Sequence, residues 1–182
     1  MRAIVAYCSQ TGSAEMYAHW LAEDLECRAV PIANLEREGK ECDTAVFCSW
    51  FHAASIKGAK EFQAYMAAHP EKTYAVVAVG ATPMPCAEWP ASEHEEAFHR
   101  SFPADRYPDL LWCYCQGGFH FDRLGAFDKM AMRVYFRMLE KSAKDGCARN
   151  ATALANMKAG FDGCDRSYLE PVLQALRSQA EA

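Results

Sequence analysis

Residues Ala3-Ile4-Val5-Ala6-Tyr7-Cys8 lead directly into Ser9-Gln10-Thr11-Gly12-Ser13-Ala14, and then into a segment where Tyr17, Ala18, Leu21 and Leu25 recur at helical spacing. An apolar run that ends in hydroxyl side chains and a glycine, and then opens a helix, reads as a buried strand, a tight turn and a helix N terminus. Unpaired backbone N–H groups and the positive end of the helix dipole meet at such a turn, so an anion suits it. Gly12 lets the backbone approach that anion without a side chain in the way. The same hydroxyls, on Ser9, Thr11 and Ser13, are also what a simple helix cap requires, so cap and phosphate cradle stand level on this stretch alone. No Gly-x-x-x-x-Gly-Lys-Ser/Thr run occurs, and no Gly-x-Gly-x-x-Gly follows a strand. ATP and dinucleotides are therefore disfavoured, and a monophosphate held without lysine or arginine fits better.

Strand-like runs recur at Arg2–Cys8, Cys27–Ile32, Thr44–Trp50, Tyr74–Gly80 and Leu110–Cys115, with helix-patterned segments between most of them. The second such helix is expected from about Ser55 to His69, with Ala59, Phe62 and Met66 as its apolar side. Continuous apolar strands such as Val76-Val77-Ala78-Val79 are what a parallel sheet covered on both faces demands. The pattern predicts an α/β doubly wound sandwich with a five-stranded parallel sheet and a single domain over residues 1–182. Ligands in such sheets sit beyond the carboxyl ends of the strands, which singles out the loops Ser9–Ala14, Trp50–Ala54 and Ala81–Cys86.

The proline-rich segment around residues 84–108, with its acidic patch Glu93-His94-Glu95-Glu96, reads as an irregular insertion with room for one short helix. After the fifth strand, Ala126–Ala143 reads as an amphipathic helix. Phe127, Met130, Ala131, Val134, Met138 and Leu139 form its apolar stripe, and Lys129, Arg133, Arg137 and Lys141 repeat every four residues on another face. That basic row reads first as a solvated face and second as a dock for an acidic partner or an anionic membrane surface. A last helix is expected over Tyr168–Ala180, after the stretch Gly160–Asp165.

A formal net charge of -5 argues against nucleic acid as the main partner. Nine cysteines without a Cys-x-x-Cys pair point to a reducing compartment, and the absence of a leader or a membrane-length apolar run points to the cytoplasm. Cys113 and Cys115 read as small buried hydrophobes. Glu95-x-x-x-His99 has ligand spacing but no evident third ligand, so no metal is expected, and no Gly-x-Ser-x-Gly elbow supplies a nucleophile.

The stretch Ser9–Ala14 resembles the phosphate loop of flavodoxins, Ser/Thr-x-Thr-Gly-x-Thr, with Ala14 standing where the family pattern has a hydroxyl. Gln116-Gly117-Gly118-Phe119 through Leu124-Gly125-Ala126-Phe127-Asp128-Lys129-Met130 resembles the flavodoxin-domain branch that includes menaquinone-dependent protoporphyrinogen oxidases. The resemblance covers most of the chain apart from about 84–108 and 146–165. It implies strand order 2-1-3-4-5 and flavin mononucleotide (FMN) as cofactor, its phosphate on Ser9, Gln10, Thr11, Gly12, Ser13 and Ala14. Trp50, Phe51, His52 and Ala53 then fall beside the flavin ring, with at least one of Trp50 and Phe51 stacked on it. Backbone groups of Gly80, Ala81, Thr82 and Pro83 fall at its pyrimidine edge, and Gln116, Gly117 and Gly118 line the same cleft. The loop Trp50–Ser55 lacks the glycine that flavodoxins commonly carry there, which implies weaker stabilisation of the one-electron-reduced flavin. The function implied is an electron carrier between a reductase and an acceptor protein. An FMN-dependent oxidoreductase acting on a porphyrin-like or quinone-type substrate is the first alternative, and a binding module of the same fold without flavin is the second. No catalytic side chain is nominated, because the flavin would carry the chemistry.

Overall fold

The computed structural model describes residues 1–52 and 55–181. Its sheet follows the apolar runs of the sequence closely: β1 (Ala3–Cys8), β2 (Arg28–Pro31), β3 (Thr44–His52), β4 (Thr73–Gly80) and β5 (Leu111–Gln116). All four neighbouring pairs are parallel, in the spatial order β2-β1-β3-β4-β5. The register sets Val5 beside Val46, Val46 beside Ala75, and Val77 beside Cys113. The helices of eight or more residues are α1 (Ser13–Asp24), α2 (Ala59–Ala68), α3 (Ala91–His99), α4 (Ala126–Lys144), α5 (Ala148–Ala159) and α6 (Glu170–Glu181).

Both faces of the sheet are buried, which is why its strands carry no polar alternation. On one face Val46 and Cys48 of β3 meet Tyr17, Ala18 and Leu21 of α1 and Val172, Leu173 and Leu176 of α6. On the other face Ala45 and Phe47 of the same strand meet Phe62 and Tyr65 of α2 and Phe98 of α3. Successive side chains of a strand point to opposite faces, so one nine-residue strand supplies both cores. The crossover reverses between β1 and β3, placing the turn after β1 at the switch point of the sheet.

One expectation changes, and three details are added to the others. Ser55–Ile56 is not the start of a helix: it pairs antiparallel with Phe51 and His52, and α2 begins only after Gly58, whose φ of 76° favours glycine. Tyr65 joins Ala59 and Phe62 on the buried side of α2, and Met66 packs partly buried against the same core. The insertion holds the ordered helix α3, and Phe98 and Phe102 within it are core residues stacked against Trp112 and each other at 4.2 and 5.2 Å. Residues 148–159, in a segment outside the family resemblance, form α5 against α4. Among the described residues, no helix is long and apolar enough to cross a membrane.

Candidate functional site

The first turn of α1 opens at the carboxyl end of β1, and Gly12 makes the bend with φ 103°, a left-handed conformation natural only to glycine. No side chain caps this helix end, so the simple cap reading of the loop fails and the first-turn amides face outward. Two hydroxyls shape the turn instead. Ser9 Oγ accepts from the Gly12 N–H at 3.2 Å, and Ser13 Oγ accepts from the Gly118 N–H at 3.1 Å. A hydroxyl that accepts from the backbone keeps its own proton for another acceptor, so both can donate to an anion in the loop.

The turn opens into a cleft of about 490 Å³, within the size range of small-molecule sites. Ser9, Gln10, Thr11, Ser13 and Ala14 form one end; Trp50, Phe51 and His52 form a wall; Gly80, Ala81, Gly117 and Gly118 line the strand ends. Gly117 is required by closeness, since a Cβ there would stand 2.9 Å from Val79 Cγ1 and 3.2 Å from Ser13 Cβ. The cleft therefore brings together most residues that the sequence singled out. Thr82, Pro83 and Gln116 line a neighbouring cavity of about 410 Å³ rather than the cleft itself, and Ala53 lies outside the described residues.

Sequence reasoning missed the roof. Asp128, Ala131, Met132 and Tyr135 of α4 and Met157 of α5 close over the cleft. Asp128 accepts hydrogen bonds from Gln10 Nε2 at 2.6 Å and from His52 Nε2 at 3.2 Å. The Gln10 bond first, and the His52 bond second, hold the Asp128 carboxyl below the usual range. A carboxyl with a lowered folded pKa contributes this contact above the ordinary carboxylate range and loses it as pH falls through its folded value. His94 was also missed within the acidic patch. It is buried, its Nε2 donates to the Pro83 carbonyl at 3.1 Å, and its ring lies 4.1 Å from that of Tyr114. A histidine among glutamates carries no sequence sign of burial; only Phe98, one helical turn on, hints at the inward face.

Tyr17 fixes the cradle from beneath. Its fully buried hydroxyl donates to the Gln116 carbonyl at 2.6 Å and accepts from the Asp165 N–H at 3.0 Å, and burial pushes its pKa up. Tyr17→Phe leaves two backbone groups without their partner, and is expected to cost ~1–3 kcal/mol of stability. Urea denaturation, with the slope unchanged and the midpoint lowered, checks this.

A doubly wound parallel sheet with an anion-ready turn at its switch point and an aromatic cleft beyond the strand ends defines a flavodoxin-like protein. Residues 4–145 match the family model described as a flavodoxin domain, and the chain belongs to that family. Membership implies a flavin cofactor. Among solved structures, the chain is similar to a flavodoxin from the domain Archaea at 20% identity, covering 55% of this chain and 73% of that one, with a TM-score of 0.40. It is also similar to the Trp repressor binding protein of Bacillus subtilis, at 13% identity, 64% and 83% coverage and a TM-score of 0.38. A short-chain flavodoxin associated with a bacterial microcompartment gives 15% identity, 64% and 82% coverage and a TM-score of 0.40. No curated protein matches the chain.

Proposed function

We propose that the cleft binds FMN and that the protein carries electrons between a reductase and an acceptor protein. The observation that carries this reading is the uncapped N terminus of α1, with its Gly12 bend, opening into an aromatic cleft at the sheet's switch point. Ser9, Thr11, Ser13 and the first-turn amides of α1 would hold the phosphate without a lysine or arginine. Trp50 and Phe51 offer aromatic faces, while Gly80, Ala81, Gly117 and Gly118 offer backbone at close approach. When bound, the flavin supplies the reversible redox chemistry. The chain's residues position the ring, and the α4 roof limits water over it.

A second observation favours the enzyme reading as an alternative. The neighbouring cavity shares Ala81, Tyr135 and Met157 with the cleft, and its far side is built by Trp89, Arg149, Asn150 and Asn156. Residues 149, 150 and 156 lie beyond the matched span 4–145, so part of this cavity's wall is built outside the matched domain. It offers room beside the flavin for a conjugated, quinone-type substrate. Porphyrin-like carboxylates fit it less well, because its cation, Arg149, is already paired with Glu93.

Visible absorption of the purified protein, before and after adding FMN and desalting, tests the common part of both readings. Flavin bands that stay with the protein and bleach on reduction are expected. Protein that stays colourless in excess FMN overturns them in favour of a flavin-free binding module. In the same assay Asp128→Asn is expected to tighten FMN retention. The amide still accepts from Gln10 while the negative charge facing the phosphate is gone, worth about 1 kcal/mol, or roughly fivefold, in a solvated cleft. Weaker retention would show that the carboxylate serves the loop's shape instead.

A further inference from the structure

The strongest feature outside the cleft is the outer face of α4. Phe127, Met130, Val134 and Met138 are 72%, 58%, 55% and 64% exposed, although water-facing helices normally turn such side chains inward. Their spacing of three and four residues places them on one stripe over three turns. Arg137 borders this stripe on the side of Met130 and Lys141 stands in line with it at its C-terminal end, with Arg133 and Lys144 further round. Both carboxylates of the helix are engaged away from it: Asp128 bonds Gln10 and His52 in the cleft, and Glu140 bonds Lys158 at 2.6 Å. Arg137, Lys141 and Lys144 enter no hydrogen bond or ion pair among the described residues. A chain of net charge -5 thus concentrates bare cations beside its most exposed apolar surface.

We propose that α4 is a membrane-docking helix that lies in the interface of an anionic lipid bilayer, with Phe127, Met130, Val134 and Met138 in the acyl boundary and Arg137 and Lys141 on lipid phosphates. Charge complementarity selects this occupant. A bilayer surface supplies hydrocarbon and negative headgroups in parallel planes, which is the order in which the helix presents its apolar stripe and cationic edge. The helix is already folded and needs no ordering on binding, and the long cationic side chains can reach the headgroups while their stems lie against the stripe. Because the adjacent side of α4 lines the cleft through Asp128, Ala131 and Tyr135, docking sets the cleft beside the membrane surface. The inference stands on the helix alone and holds whether or not the cleft takes a flavin.

Sedimentation of the purified protein with vesicles tests it. Equimolar phosphatidylglycerol and phosphatidylcholine vesicles are expected to pellet most of the protein, and pure phosphatidylcholine vesicles or about 0.5 M salt to release it. Phe127→Ser with Met138→Ser, and separately Arg137→Glu with Lys141→Glu, are each expected to lower the bound fraction about tenfold. These are surface positions, so unchanged thermal midpoints by circular dichroism are expected for both variants. Wild-type protein that stays in the supernatant overturns the proposal, as do variants that pellet like wild type. A dimer in sedimentation velocity that the Phe127→Ser/Met138→Ser variant converts to monomer also overturns it, because a second copy then covers the stripe.

Discussion

Thr11→Glu is expected to abolish FMN retention, with a loss of more than a hundredfold in affinity by fluorescence titration of free flavin. Thr11 lines the end of the cleft where the turn after β1 meets α1. The loop contains no lysine or arginine, so its hold on a phosphate rests on dipoles and hydroxyl protons, which are individually weak and depend on the absence of a competing negative charge. A carboxylate placed about 5 Å from a phosphate at an effective dielectric near 20 costs ~3 kcal/mol per unit of phosphate charge, and that alone is a factor of over a hundred. Thr11→Gln separates charge from size, because it has the shape of glutamate without the ionised group. A loss below about tenfold is expected for it. Equal losses for the two variants would show that bulk, not charge, excludes the flavin. Undiminished binding by Thr11→Glu would place the phosphate elsewhere and remove the basis of the proposed function.

The parts of this site that could be read in the sequence are those fixed by local chemistry. The strand, bend and helix at Ala3–Asp24 need only neighbours in the chain: apolar residues for a doubly covered strand, Gly12 for a left-handed bend, and Tyr17, Ala18 and Leu21 for a buried helix face. Sheet order followed from the family resemblance, and each strand boundary fell within two residues of its expected place because the apolar runs end where the sheet ends.

What stayed hidden depends on which surface each helix meets. Periodicity shows that α4 has an apolar stripe but cannot say what covers it. In the structure Leu139 is buried, while Phe127, Met130, Val134 and Met138 stand in solvent and the cleft takes Asp128, Met132 and Tyr135 from another side of the same helix. The Gln10–Asp128 contact joins residues 118 positions apart, and no spacing rule reaches that far. Ser55–Ile56 misled for a related reason: two apolar-flanked residues before a helix satisfy its period, and only the pairing with Phe51 and His52 makes them a strand.

Phe47→Ala is expected to be the most damaging core substitution, costing ~3–5 kcal/mol. Phe47 lies at the middle of β3, is wholly buried, and stacks on Phe62 of α2 with centroids 4.9 Å apart at 21°. Its ring edge also fills the space beside Gly58, where a Cβ would meet Phe47 Cζ at 3.1 Å. That glycine sets the start of α2 with its positive φ. Removing the ring therefore costs the transfer energy of a buried aromatic and leaves a void between sheet and helix, whose backbone β3 cannot refill because it is hydrogen-bonded on both sides by β1 and β4. Against a total stability of ~5–15 kcal/mol for a domain of ordinary size, such a loss lowers the urea midpoint by about a fifth or more. Phe127→Ala removes the same atoms from a side chain that is 72% exposed and is expected to change stability by less than ~0.5 kcal/mol. Similar costs for the two would mean that Phe127 is covered in solution or that β3 collapses around the missing ring. The predicted contrast holds only if the sheet is clamped between two cores and α4 carries its apolar stripe on the outside.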